Sequence, residues 1–383
     1  MPYLEISDNL LKRNNGYHTA KEICQQPEMW HKTKEMLDKN AKSINKFISP
    51  LLKMDNLRII MTGAGSSSYI GECLEPLLIN DTGKNITAIA TTDLVTGPHR
   101  YFQKDIPTVL VSFSRSGASP ESLAAIKLSN QMIDECYQLI ITCNNEGQLY
   151  KNCQDDKNSL AVLLPEETHD VGFAMTSSVT SMMFAALNIL SNKTYSPDLM
   201  SSTAAALIEE KNNMLKNLAQ KSLWRVVFLG SNEFKGLARE ASLKLLELTD
   251  GKIISTYESP LGFRHGPKSV INGNTLVFMF VSNDPYVRKY DLDLLAEIRK
   301  DRIAGRVIAI SAKEDDDFGS SNNHIKLAGM NDASDAELLF PYLTLAQIYA
   351  FHRAQALGNA PDSPSTSGTV NRVVEGVILY DYE

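Results

Sequence analysis

The sequence has no apolar run long enough to cross a lipid bilayer. Its longest apolar runs lie near residues 182–190 and 275–281, whereas a membrane-spanning helix needs about 20 apolar residues. The segment 1–16 also has no basic start followed by an apolar core, so it does not resemble a signal peptide. These absences predict a cytoplasmic protein that makes no contact with a membrane.

Cysteine is scarce, and positive charge is in deficit. An odd number of cysteines without a Cys-x-x-Cys pair is typical of reduced thiols in a cytoplasm. The five are Cys24, Cys73, Cys136, Cys143 and Cys153. The 38 lysines and arginines are outnumbered by 45 acidic residues, giving a net charge of −7. This charge predicts no nucleic-acid partner, so an anionic ligand must be bound by a local site.

Several catalytic motifs are missing as well. None of the seven histidines has a second histidine two to four positions away, so no metal site is predicted. There is no Gly-x-Ser-x-Gly nucleophile elbow and no Gly-Lys-Ser/Thr phosphate loop. The dinucleotide pattern Gly-x-Gly-x-x-Gly also fails, because its third small position is Ser68. We therefore expect no metal and no cofactor.

What the sequence does contain is an internal repeat with an offset of 167 residues. At 383 residues the chain is long enough for two or three domains. Four strand-like runs, nearly continuous in apolar character, share this one register. The matched pairs are 57–63 with 224–230, 108–113 with 275–280, 139–142 with 306–309, and Leu160 with Leu327. Such runs are typical of parallel strands covered on both faces.

Helix-like segments separate these runs, at 119–134 and 290–299, and further apolar helices follow at 175–190 and 343–357. The pattern predicts an α/β protein with two copies of an open, doubly wound parallel sheet flanked by helices. We place the copies at 40–195 and 215–360, with a helical link near 201–220. Segment 1–39 is then a helical extension, and 361–383 is a tail.

Two loops of the first copy are rich in glycine and serine. One follows the first strand-like run and contains Ser66 and Ser67. The other follows the second run and contains Ser114, Arg115, Ser116 and Ser119. Glycines, hydroxyls and a helix N-terminus together favour an oxyanion. Either loop alone is also compatible with a polar turn, but two at adjacent strand ends favour a phosphate cradle. The matching loops of the second copy, 230–233 and 281–284, carry acidic residues instead.

Two residues of the second copy are candidates for proton transfer. Glu247 lies on a mainly apolar predicted helix, where we expect a raised carboxyl pKa. His265 lies in a loop between Gly262 and Gly266, where its charge can switch near neutral pH. A surface-paired glutamate and an idle loop histidine are the alternative interpretations.

These motifs resemble a known family. The segments 63–69 (GAGSSSY), 114–121 (SRSGASPE) and 264–267 (RHGP) are similar to signatures of sugar isomerase (SIS) domain proteins. The duplication resembles the tandem-SIS isomerase half of glucosamine-6-phosphate synthase. The tail 363–374 is similar to the galactosamine-6-phosphate deaminase/isomerase type, also called tagatose-6-phosphate ketose/aldose isomerase. The resemblance runs from about residue 40 to the end and implies two tandem SIS domains with flavodoxin- or Rossmann-like layers.

The resemblance also implies residue roles. The serines 67, 114, 116 and 119 and Arg115 match positions around the sugar phosphate, with Ser66 in the same loop. Glu247 matches the carboxylate that moves a proton between C1 and C2, and His265 matches the imidazole that assists ring opening. In the synthase relatives that histidine comes from the neighbouring subunit, which implies a homodimer or higher homo-oligomer with shared active sites. Arg372 stands near the position of a tail lysine that closes the site, and with Glu247 and His265 it is a candidate catalytic residue.

The implied reaction is isomerisation and deamination of an amino-sugar 6-phosphate, D-galactosamine 6-phosphate in the first instance, to tagatose 6-phosphate and ammonia. A plain aldose/ketose sugar-phosphate isomerase and a non-catalytic sugar-phosphate sensor are the alternatives. The residues before the first repeat are too few for a glutamine-cleaving domain, so amide transfer is not expected. The preference between galacto and gluco epimers, and between dimer and tetramer, stays open.

Overall fold

The computed structural model describes residues 2–154, 156–314, 318, 323–374 and 376–382. The chain divides into two compact units, each built around one parallel sheet. The first-sheet unit comprises Glu28–Asp170, Met175–Ser196 and Gly368–Glu383. The second-sheet unit comprises Met1–Pro27, Val171–Ala174 and Pro197–Ser367.

The first-sheet unit contains five parallel strands in the order β2-β1-β3-β4-β5. They are β1 (Arg58–Thr62), β2 (Asn85–Ala88), β3 (Thr108–Ser114), β4 (Cys136–Thr142) and β5 (Ser159–Leu163). Every residue of the central β3 is buried, because helices cover both faces of a sheet of this kind. Its register with β1 pairs Thr62 with Ser112, so the two strands end side by side.

Five helices accompany this sheet. They are α3 (Ser66–Thr82), α4 (Thr91–Thr96), α5 (Pro120–Met132), α6 (Gln148–Asn152) and α7 (Ser177–Leu190). Pro120 occupies the first turn of α5 after Ser119, a position where its missing N–H has no helical acceptor to lose. Gly83 ends α3 in the left-handed conformation, with its N–H donating to the Ile79 carbonyl.

The second-sheet unit repeats this topology. Its strands are β6 (Arg225–Gly230), β7 (Ile254–Glu258), β8 (Thr275–Phe280), β9 (Arg306–Ser311) and β10 (His324–Lys326), all parallel, in the order β10-β9-β8-β6-β7. Its helices are α8 (Asp198–Glu210), α9 (Asn212–Ala219), α10 (Glu233–Leu248), α11 (Pro260–Phe263), α12 (Val287–Asp301) and α13 (Asp335–Ala356).

Two helices precede the first sheet, α1 (Asp8–Arg13) and α2 (Tyr17–Leu52). The helical extension expected at 1–39 therefore continues without interruption past residue 40. The division between the units falls inside α2, after Pro27. The segments 171–174 and 361–367 also pack with the second-sheet unit, so the units are not continuous stretches of sequence.

The predicted fold class is confirmed, with two parallel α/β sheets related by the 167-residue offset. All the strand-like runs overlap strands except Leu327, which lies one residue after the end of β10. The edge strands β2 and β7 were not predicted, because both are partly exposed and lack a continuous apolar run. Among the described residues, no helix is long and apolar enough to cross a membrane.

Candidate active site

The loop between β1 and α3 depends on Gly63. A Cβ at this position would lie 2.6 Å from the backbone carbon of Ser67, so only glycine lets the chain turn this tightly. Gly65 then adopts φ 56° and ψ −130°, after which α3 starts with three buried serines, Ser66, Ser67 and Ser68. The loop thus sets serine hydroxyls on the positive N-terminal end of a 17-residue helix.

The loop between β3 and α5 is held by its own polar atoms. The Ser114 hydroxyl accepts the N–H of Gly117 at 3.0 Å, and the Ser116 hydroxyl accepts that of Ala118 at 3.3 Å. Asn144 donates to the Ser116 carbonyl at 2.8 Å. A hydroxyl that accepts a backbone N–H still has its own proton to donate, so Ser114 and Ser116 suit an anionic acceptor. Ser119 precedes α5 and donates to Ser122 at 2.6 Å.

The two loops follow neighbouring strands at the topological switch point of the sheet. β1 pairs with β2 on one side and with β3 on the other, so the crossovers leave in opposite directions and open a crevice between the β1 and β3 ends. Ligands of open parallel sheets bind at this place. The six predicted phosphate residues lie on these two loops, and we call this place the cradle.

Arg115 belongs to the cradle, and a second arginine and a histidine adjoin it. Arg115 is only 6% exposed, and its Nη2 donates to the backbone carbonyl of Arg372 at 3.0 Å. The Arg372 guanidinium in turn donates to the backbone carbonyl of Asp170. Burial, followed by the charges of Arg372 and Arg115, lowers the pKa of His169 below its usual value. The tail thus brings the backbone of Arg372 against Arg115 and the Arg372 guanidinium against Asp170.

Asp170, which the sequence analysis did not single out, positions the start of α7. Its buried carboxylate accepts the backbone N–H groups of Thr176 at 2.7 Å and Ser178 at 2.9 Å. It also accepts the hydroxyls of Ser177 and Ser178, each at 2.5 Å. Because four donors fix this side chain, its backbone carbonyl is a rigid acceptor for Arg372.

In the second-sheet unit, Glu247 lies in the last turn of α10 beside a buried lysine. The Lys244 ammonium, whose side chain is fully buried, is 2.6 Å from the Glu247 carboxylate and 3.5 Å from that of Glu240. The Glu247 side chain is 22% exposed, so its carboxylate reaches the surface while its partner does not. The sequence analysis missed Lys244, although residues 240, 244 and 247 share one helical face at i, i+4 and i+7 spacing.

His265 lies in the turn after α11 and is exposed. Its backbone N–H donates to the Gly262 carbonyl at 3.0 Å. The flanking residues are tied to α12, since Arg264 pairs with Asp293 and Glu297, both at 2.8 Å. The ion pairs fix the backbone of the turn and leave the imidazole at the surface.

The structure therefore brings together the six cradle residues and Arg372 in one unit. Glu247 and His265 belong to the other unit and lie on different elements of it. The residues that sequence reasoning missed are Lys244, His169 and Asp170. A lysine within an apolar helix was a visible signal, whereas the other two form a dipeptide without a recognisable pattern.

Comparison with known proteins defines the class. The family model of the SIS domain matches residues 51–191. The D-galactosamine-6-phosphate deaminase AgaS of Escherichia coli is 47% identical over 372 residues, which cover 96% of this chain and 97% of that protein. The protein of the same name from Shewanella sp. strain ANA-3 is 41% identical and covers 99% and 96% of the two chains. The chain therefore belongs to the family of SIS-domain sugar-phosphate enzymes.

Within that family, the similarity extends to a solved structure. The crystal structure of tagatose-6-phosphate ketose/aldose isomerase from Escherichia coli superposes with a TM-score of 0.90 at 44% identity. It covers 96% of this chain and 97% of its own. The resemblance inferred from the three motifs is confirmed, and it extends over nearly the whole chain.

Proposed function

We propose that the chain converts D-galactosamine 6-phosphate to tagatose 6-phosphate and ammonia. The observation that carries this proposal is the cradle, in which buried serines, two helix starts and Arg115 converge at the β1/β3 switch point. This arrangement suits a compact phosphate monoester. The names of the relatives supply the sugar, since proteins 41–47% identical are called D-galactosamine-6-phosphate deaminase.

The phosphate is bound by the serines of the cradle, Ser66, Ser67, Ser114, Ser116 and Ser119. Arg115 supplies a charge-assisted contact, and Arg372 adds positive charge from the tail, which closes over the bound sugar. Because the phosphate does not react, these contacts fix the sugar and leave C1 and C2 to the catalytic groups.

The proton transfer is assigned to Glu247. In the open-chain aldehyde, the carboxylate removes the C2 proton, and the electrons of the C–H bond form a C1=C2 double bond while C1 oxygen takes up a proton. Return of a proton to C1 gives a ketimine at C2. Water then adds to C2, and the nitrogen leaves as ammonia. The buried Lys244 holds the Glu247 carboxylate in place through the 2.6 Å ion pair.

His265 is assigned to ring opening, as proton donor and acceptor for the ring oxygen and the C1 hydroxyl. We propose that it acts on a sugar bound by a neighbouring subunit, so that the enzyme works as a homodimer or a higher homo-oligomer with shared active sites. Its exposure on a turn fixed by ion pairs supports this assignment.

Plain aldose/ketose isomerisation is the second candidate, and the name of the Escherichia coli structure favours it. With oxygen in place of nitrogen at C2, the same proton transfer gives a ketose directly, and no ammonia forms. The two reactions are thus distinguished by the fate of the nitrogen.

The test is to measure ammonia and ketose 6-phosphate from galactosamine 6-phosphate and glucosamine 6-phosphate in parallel, with and without a chelator. Equal amounts of ammonia and tagatose 6-phosphate from the galacto substrate are the expected result. We expect the chelator to have no effect, because the proposed proton transfers use only protein side chains and water. Binding of both sugars without release of ammonia would contradict the deaminase proposal.

The role of Glu247 is tested with Glu247→Gln, which keeps the shape of the side chain and removes the base. Turnover should fall by at least about a hundredfold, the usual contribution of a general base, while KM changes little. The exposed Glu210 on α8 gives the matched control Glu210→Gln, which should retain full activity. Full activity of Glu247→Gln would assign the proton transfer to another residue.

A further inference from the structure

The loop that follows β6 in the second sheet has a backbone conformation similar to that of the cradle loop that follows β1. Gly230 follows β6 as Gly63 follows β1, and a Cβ on Gly230 would lie 2.5 Å from the Cβ of Phe234. Two residues later, Asn232 adopts φ 51° and ψ −118°, close to the values of Gly65. The offset of 167 residues thus relates the conformations of the two loops as well as their sequences.

A cavity of about 350 Å³ lies over this loop. It is lined by Ser231 and Asn232 after β6, by Ser259 and Leu261 at the start of α11, by Tyr286 directly before α12, and by Val287 and Tyr290 of α12. It therefore occupies the β6/β8 switch point, the counterpart of the cradle. Its volume falls within the range of small-molecule sites, and none of its lining side chains is charged.

The helix starts around this cavity already hold carboxyl groups. Asp284 accepts the backbone N–H groups of Tyr286 at 2.8 Å and of the next residue at 3.0 Å. Glu258 accepts the N–H of Ser259 at 2.8 Å. In this cavity the N–H groups at the helix starts already donate to carboxylates, whereas in the cradle hydroxyl and N–H donors face the ligand. Carboxylates repel a phosphate, so the cavity disfavours an anion.

The two tyrosines suit an uncharged sugar. They lie one turn apart, with their rings edge to face at 5.3 Å and their hydroxyl oxygens 2.9 Å apart. Tyr286 is 66% exposed. Tyrosine offers an apolar ring together with a hydroxyl that donates and accepts, and Ser231 and Asn232 add further polar groups. A pyranose has the complementary surface, with an apolar C–H face and a rim of hydroxyls.

We propose that this cavity is a second ligand site, which binds an uncharged hexose without a phosphate group. The site is separate from the cradle and lies within the second-sheet unit. It goes beyond the proposed reaction, because its ligand lacks the group that the cradle recognises.

The test uses the full chain with D-galactose and D-glucose as probes, in saturation-transfer NMR and titration calorimetry. At least one hexose should bind. Tyr286→Ala and Tyr290→Ala should each lower the affinity for that hexose by about tenfold, equivalent to about 1.4 kcal/mol. Ile303→Ala is the control, since Ile303 is 55% exposed and does not line the cavity, and it should not change the affinity. All three variants should keep their turnover of the sugar phosphate.

Two further measurements separate this site from the cradle and from a subunit contact. Excess galactosamine 6-phosphate should not displace the hexose, and Arg115→Ala should not lower the affinity for the hexose. Displacement by the sugar phosphate would place the hexose in the cradle and overturn the proposal. So would the absence of hexose binding, or a change in oligomer mass on Tyr286→Ala without any effect on the hexose.

Discussion

Arg115 is a buried residue that contacts the tail. Its Nη2 donates to the backbone carbonyl oxygen of Arg372 at 3.0 Å. The second cation, Arg372, is close enough to help lower the pKa of His169. Two arginines that adjoin serine hydroxyls are a reason for a dianionic phosphate to bind there.

We expect Arg115→Ala to raise KM by about 10- to 150-fold, because a charge-assisted hydrogen bond contributes about 1.5–3 kcal/mol. The inhibition constant of inorganic phosphate should rise by a similar factor. Arg115→Lys keeps the charge without the forked geometry and should give intermediate values. Steady-state kinetics of the three proteins check this prediction, and an unchanged KM in Arg115→Ala would remove the residue from phosphate binding.

Gly63 permits a prediction about folding as well as binding. Gly63→Ala would place a Cβ 2.6 Å from the backbone of Ser67, so the start of α3 must move. We expect the free energy of unfolding to fall by about 1–3 kcal/mol, as for other overpacked sites, and KM to rise. Gly273→Ala is the control, since a Cβ there meets nothing within 4 Å. Equal thermal midpoints for the two variants would contradict this reading of the loop.

At the scale of the element, α10 carries carboxyl groups with different environments at its two ends. Glu247 in the last turn is half-buried and paired with Lys244. Glu233 in the first turn is buried near Asp335 and Asp291, and burial followed by these neighbours raises its pKa to about 8. Asp291 itself has its pKa raised to about 6, mainly by burial. Glu233, from the first acidic loop noted in the sequence, thus belongs to a buried carboxyl cluster with Asp291 and Asp335.

The raised pKa of Glu233 sets the sign of a pH effect. In the unfolded chain this carboxyl loses its proton near pH 4.5, whereas in the folded protein it keeps the proton up to about 8. Between these values the folded state binds more protons, so its stability falls as pH rises. Glu233→Gln should remove this fall, with a difference of up to about 1.4 kcal/mol per pH unit.

Urea unfolding of the parent and Glu233→Gln between pH 5 and 8 measures this difference. We expect the variant to gain stability relative to the parent as pH increases. Glu209→Gln, at an exposed position on α8, serves as the control and should follow the parent. A constant difference between Glu233→Gln and the parent at all pH values would show that Glu233 does not hold its proton in the folded state.

For the whole molecule, the repeat was the most informative feature of the sequence. Apolar runs with one offset predict how strands and helices follow one another along the chain. They thereby also predict the strand end at which Ser114 and Arg115 lie. Side-chain partners depend on packing, which periodicity does not describe. The pair of Lys244 with Glu247 and the contact of Arg115 with the Arg372 carbonyl, which spans 257 positions of sequence, were therefore not predictable. The edge strands β2 and β7 were not predicted for a related reason, since partly exposed strands lack a continuous run of apolar residues.

The proposal that active sites are shared between subunits can be tested with a pair of variants. If His265 serves the sugar of a neighbouring subunit, then Glu247→Gln and His265→Ala damage each active site through different chains. Each variant alone should be inactive. In a hybrid dimer, one site would contain both defects and the other neither, because a two-fold interface exchanges the same residues in both directions.

Mixing the two variants and allowing subunits to exchange should therefore restore activity to about a quarter of the parent value, since random pairing makes half the dimers hybrids with one intact site each. Differently tagged chains that copurify establish that hybrids have formed, and a mixture of two Glu247→Gln preparations is the control. Copurifying hybrids without restored turnover would place Glu247 and His265 of one chain in the same site, and the exposed imidazole would then act within its own subunit.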